Sequence, residues 1–109
     1  MTTANLCKTQ FQDAELGDIQ LYQANLFEAN LSGANLSRAN LQKAHLQKAN
    51  LQKANLQGAD LRNADLSRTN LENAKLTKAL LAGCNLFRSR LGDLSDAECD
   101  RTTIGPEGY

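Results

Sequence analysis

Apolar and polar positions in this chain recur with a period of five, in the pattern Ala-Asn-Leu-x-x, from Ala4 to about Arg90. The central position falls at residue 6 and at every fifth residue to 91; 17 of these 18 sites are Leu, and Phe11 is the exception. Two residues before the centre, 13 of 18 sites are Ala, and one residue before it, 11 of 18 are Asn or Asp. Five suits neither regular element. Along a helix, five residues turn the chain through about 500°, so successive leucines would lie about 140° apart and spread around the axis. Along a straight strand, side chains alternate with period two, so leucines five apart would face opposite sides by turns. Every Leu reaches one common interior only if the backbone bends once per repeat and winds as a coil.

Within each side of such a coil the Ala and the Leu point inward and the Asn between them points out. A shaft entered by a Leu from each side has little room left, which is why the second inward site is small. The two positions after the centre must turn the corner, and they hold Ser, Gln, Gly, Asn, Lys, Arg and Asp, with Gly at 17, 33, 58, 83 and 92. Successive coils then stack at roughly 4.8 Å, with amides paired as in a parallel sheet. Each buried Leu stabilises by on the order of 1.5–3 kcal/mol, an upper estimate because denatured chains are partly compact.

These residues resemble the pentapeptide-repeat family, whose motif is A(D/N)LXX, from Ala4 through Leu91. The resemblance implies an all-β fold, a right-handed quadrilateral parallel β-helix with four repeats per coil. Residues 1–91, with 18 repeats, would then make about four to five coils. At the start, Thr9 and Ile19 take Ala sites, which predicts a bulkier interior in the first coil. After Leu91 the beat restarts three residues on, with Leu94, Cys99 and Ile104 as centres and Gly92, Ala97 and Thr102 two places before them. Residues 92–104 read either as a further partial coil in shifted register or as a degenerate cap. Residues 105–109 read as a mobile tail, because Pro106 cannot donate to a ladder.

Charge sums to zero but is unevenly spread: net −3 over residues 1–29, +7 over 30–90 and −4 over 91–109. Arg38, Lys43, Lys48 and Lys53 occupy corners in four consecutive repeats and form a belt. With four repeats per coil, residues 8, 28, 48, 68 and 88 share one edge and read Lys, Glu, Lys, Arg, Arg, which adds Arg68 and Arg88 to the candidate interaction surface. Nucleic-acid binding is not expected, since it calls for interleaved aromatics or a groove-reading element that the few aromatics here do not supply. Leu80 at an outward site, Phe87 at a corner and Leu94 form a candidate dimer patch, and the resemblance implies pairing through the C-terminal coils; monomer and homodimer both remain open.

The sequence predicts no enzyme, cofactor or metal site, since a filled shaft offers no cleft for convergent groups. His45 is the only histidine, and four repeats per coil would put Asp65 beside it and Ser67 nearby, a hint of hydrolytic chemistry with no oxyanion hole or pocket to serve it. Three cysteines, Cys7, Cys84 and Cys99, have no metal-ligand spacing and read as reduced thiols. With no apolar run of membrane-spanning length and no export signal at the start, the expectation is a cytoplasmic, non-catalytic rod that binds or scaffolds a protein partner. The family's best-known activity, protection of DNA gyrase by mimicry of duplex DNA, is the alternative that the resemblance implies. A basic shaft opposes it, because DNA-binding grooves are themselves basic.

Overall fold

A computed structural model describes residues 4–91, 94, 97–99 and 102–108. Parallel bridges join each outward residue to its counterpart four repeats later, from Asn5↔Asn25 to Asn70↔Arg90, so four repeats complete one coil. Each repeat closes with a bond from the N–H three positions past the centre back to the central carbonyl, such as Ala49 N to Leu46 O at 3.0 Å. Four repeats per coil, each closed by its own turn, give the coil four sides and four corners. The ladder is a stack of single-residue bridges, because each side is too short to stay extended for longer before the next corner.

Turn geometry explains the corner chemistry. The second corner residue has a positive φ in every regular repeat, between 57° and 61° at the non-glycine sites from Lys8 to Arg88, while the first does not. That combination is the type II turn, whose third residue must be left-handed. Glycine fills few of these sites; Lys, Arg, Asp, Glu, Gln and Asn fill the rest. Each non-glycine residue there is held against a local preference of roughly 1 kcal/mol by the ladder bonds on either side.

All five N–H groups of a regular repeat find acceptors. In the repeat around Leu26, Leu26 N donates to His45 O and Glu28 N to Gln47 O on the following coil; Asn30 N donates to Thr9 O on the preceding coil, and Ala29 N closes the turn on Leu26 O. The fifth, Phe27 N, donates to Asn25 Oδ1 at 3.0 Å. The same cap recurs from Asn30, Asn35, Asn40, Asn50, Asn55, Asp60, Asp65, Asn70 and Asn85. Outward Asn or Asp is therefore part of the corner, since a backbone donor without a partner is costly.

The core is one continuous column: every central Leu from Leu21 to Leu86 is buried, together with the small inward residue of each intervening repeat. Leu6, Phe11, Leu16 and Ile19 are half-buried and pack on its first layer. Thr69 and Ser89 take Ala sites without leaving a polar atom stranded, because Thr69 Oγ1 donates to Leu46 O and Ser89 Oγ to Leu86 O, each at 2.7 Å. Cys84 occupies another Ala site, and burial pushes its thiol up to about 12.

The C-terminal register departs from the expectation in one place. Leu94 and Cys99 are centres as predicted, since Ala97 N donates to Leu94 O and Leu81 N to Glu98 O. The bridge Leu80↔Glu98 falls two positions short of a full coil and Asn85↔Ile104 one short, so the chain loses two positions after Leu91 and regains one after Cys99. Ile104 therefore takes an outward site and Gly105 the central one, with Thr103 inward and donating to Leu81 O. Residues 105–108, expected as a mobile tail, extend the ladder: Arg88 N donates to Pro106 O and Gly108 N to Gly105 O. Proline cannot donate, but a terminal layer also needs acceptors, and its carbonyl serves as one.

Candidate interaction surface

The four corner columns define four edges of the rod. Edge one carries residues 7–8, 27–28, 47–48, 67–68, 87–88 and 106–107; edge two 12–13, 32–33, 52–53 and 72–73; edge three 17–18, 37–38, 57–58 and 77–78; edge four 22–23, 42–43, 62–63 and 82–83. On this frame the belt of Arg38, Lys43, Lys48 and Lys53 puts one cation on each edge. A flat partner touches two adjoining edges at most, so the belt does not act as one surface.

The lengthwise column does. Lys48 N donates to Ser67 O and Arg68 N to Phe87 O, which stacks Lys48, Arg68 and Arg88 in consecutive coils on edge one. All three are exposed. Lys8 at the head of the same edge lies 3.9 Å from Glu28, and Glu107 follows Arg88 one coil on at its foot, so the three cations stand between two carboxylates. Unit charges one coil apart repel by only about 1 kcal/mol in water, which the ladder tolerates.

Other cations have local partners. Arg38 Nε and Nη2 meet Asp18 at 2.9 and 3.1 Å, and the guanidinium's hydrogen bonds hold the Asp18 carboxyl below its usual range. Arg62 grips Asp60 at 2.8 and 2.6 Å, and Arg90 reaches Glu72 at 3.2 Å. Lys43 Nζ sits 5.8 Å from the centre of the Tyr22 ring and Lys48 Nζ 5.8 Å from that of Phe27, while Arg88 lies 5.1 Å over Phe87. Each contact keeps the charge in place without neutralising it. Sequence reading missed the first two pairs, although their signal was present: an aromatic followed by a lysine one coil and one position further along.

The expected dimer patch is not assembled. Leu94 packs against the core, and Leu80 is half-buried on the outward site of the face between edges three and four, whereas Phe87 lies on edge one. The two large apolar side chains most exposed among the described residues are Phe87 at 36% and Ile104 at 38%, the latter exposed by the register shift.

His45 is exposed, yet its neighbour Asp65 is committed elsewhere: Oδ1 accepts from Ser67 N at 3.0 Å and Oδ2 from Gln47 Nε2 at 2.9 Å. Ser67 thus meets Asp65 through its backbone, as in the other caps. Among the described residues no group of His, Cys, Asp or Glu could hold a metal, and no helix is long and apolar enough to cross a membrane.

The pentapeptide-repeats family model, in eight copies, matches residues 24–63 and 54–93. A comparison with curated proteins found no match. Among solved structures, the pentapeptide repeat protein Rfr23 of the cyanobacterium Cyanothece 51142 is 39% identical with a TM-score of 0.59, covering 96% of this chain; the chain spans 63% of that protein's length. A pentapeptide repeat protein of Nostoc PCC 7120 is 33% identical with a TM-score of 0.56, covering 88% of this chain and 84% of its own. A parallel register of four repeats per coil, an Asn cap at the corners and these matches agree, and the chain belongs to the pentapeptide-repeat family.

Proposed function

We propose that this chain is a non-catalytic, right-handed quadrilateral β-helical rod of four to five coils that serves in the cytoplasm as a binding or scaffolding surface for an acidic protein partner. The observation that carries this reading is the run of Lys48, Arg68 and Arg88, exposed in three consecutive coils on one edge, with Glu28 one coil above the run and Glu107 one coil below it. A rigid row of like charges at coil spacing favours a partner whose own charges repeat along an extended backbone. Gyrase protection through DNA mimicry would require carboxylates along the same shaft, and edge one has the opposite sign.

Fluorescence polarisation with a labelled polyglutamate peptide tests the reading at low and high salt. Saturable binding that weakens with salt, and falls about tenfold or more in the triple variant Lys48→Glu, Arg68→Glu, Arg88→Glu, is expected. Absence of saturable binding, or equal binding by the triple variant, overturns it.

A further inference from the structure

Glycine occupies the left-handed corner site at residues 33, 58 and 83, each one coil plus one side beyond the last. These glycines descend the rod as a spiral of notches on edges two, three and four. At two of them, an oxygen from the side chain one coil earlier rests in the notch: a Cβ on Gly33 would lie 2.1 Å from Asp13 Oδ1, and one on Gly83 the same distance from Asn63 Oδ1. Asp13 there also lines a cavity of about 230 Å³ with Lys53, so that notch contains its own oxyanion facing its own cation.

Gly58 on edge three differs. The residue one coil earlier is Arg38, which supplies no acceptor, and its guanidinium turns the other way to Asp18. Only the aliphatic stem comes near, with Arg38 Cγ 3.3 Å from a Cβ built on Gly58. The resulting open cavity of about 430 Å³ is lined by Arg38, Gln57, Gly58, Thr77 and Lys78. These side chains bring two cations, an amide and a hydroxyl, and no carboxylate. Arg38 and Lys78 stand two coils apart, roughly 10 Å of backbone separation, with the glycine between them. Water takes about 30 Å³ a molecule, so the cavity has room for an oxyanion with part of its hydration shell.

We propose that the Gly58 notch binds a phosphate-class oxyanion, either free or as a phosphomonoester, between Lys78 and Arg38. Asp13 in the Gly33 notch is its internal counterpart: an oxygen anion beside a glycine with a lysine one coil below. Lys78 contributes charge, Thr77 and Gln57 donate, and Gly58 gives the anion close access. The site lies diagonally across the rod from edge one and is independent of the acidic-partner reading. Asp18 works against it by drawing Arg38 away.

Phosphorus NMR line broadening of inorganic phosphate, and separately of O-phosphoserine, measures binding to the full chain. Saturable broadening by one or both is expected, and the stronger of the two identifies the free or esterified form as the ligand. Gly58→Asn and Lys78→Gln should each weaken it at least about fivefold, whereas Asp18→Asn should strengthen it; the edge-one triple variant should retain it. Asn holds the same left-handed φ at Asn63 and Asn73, so Gly58→Asn fills the notch in a conformation the fold already uses. No saturable broadening with either probe, or unchanged broadening in both Gly58→Asn and Lys78→Gln, overturns the proposal.

Discussion

An outward asparagine in this fold is a backbone group by function: its Oδ1 takes the one N–H per repeat that neither the ladder nor the turn can reach. The sequence placed these side chains outside but could not show what they bond, because the partner is two residues along and appears only once the corner is built. Where the site holds another residue, that acceptor is missing, as at His45 and Leu80. Substituting His45→Asn or Leu80→Asn should therefore raise stability by about 0.5–1 kcal/mol, and Asn50→Ala should cost about 1 kcal/mol, read from urea unfolding midpoints at constant slope. A fall in stability for both Asn substitutions would remove the capping account. Asp60 makes a sharper case, since the same carboxylate caps Arg62 N and grips its guanidinium. The Arg62 hydrogen bonds hold the Asp60 carboxyl below its ordinary range, with partial burial opposing them. A depressed carboxyl stabilises the fold fully above its unfolded value, near 3.9, and that contribution is lost as pH falls through the folded value. Asp60→Asn keeps a capping oxygen and removes the ion pair. It should cost under about 1 kcal/mol at neutral pH, after allowance for solvent screening, and should flatten the loss of stability below about pH 4.

A side of the coil is the fold's smallest packing unit, and its depth along the rod sets what it contributes. Leu51 is fully buried between layers, whereas Leu6 has a layer on one side only. Truncation should separate them: Leu51→Ala is expected to cost about 3–5 kcal/mol, with a cavity the rigid shaft cannot close, and Leu6→Ala nearer 1 kcal/mol. Denaturant unfolding of the two variants checks this, and equal losses would contradict a layered column. At this scale the sequence was most legible, because one side chain in five had to be large and one small. Legibility ended where spacing was replaced by compensation. Leu94 and Cys99 could be found by counting five from a restart, but the longer interval from Cys99 to Gly105 keeps Ile104 outside and brings a glycine to the centre. No periodic reading selects a glycine as a core position. Only the ladder register, with Ile104 opposite Asn85, reveals it.

For the whole rod, surface pattern is a product of coil length rather than of sequence proximity. Edge one exists because Lys48, Arg68 and Arg88 are each separated by one full coil, and the same residues would be scattered at any other register. The column itself was readable once four repeats per coil was assumed, while its neutralised head, the aromatic supports and the open notch at Gly58 depended on side-chain directions that counting does not provide. A deletion tests the dependence directly. Removing residues 71–75 takes out one complete repeat, with Glu72 and Lys75 leaving net charge unchanged. Every remaining Leu still enters the shaft, but everything downstream rotates by one edge, so Arg88 would sit below Asn63 on edge four instead of below Arg68. The deleted protein should keep the β circular dichroism of its parent, unfold somewhat earlier for the loss of one buried Leu, and bind polyglutamate about fivefold more weakly, the equivalent of one lost charge near 1 kcal/mol. Arg88→Gln in the full chain should give a similar reduction. If the deletion binds as tightly as the parent, net charge alone governs binding and the alignment of cations along the edge has no part in it.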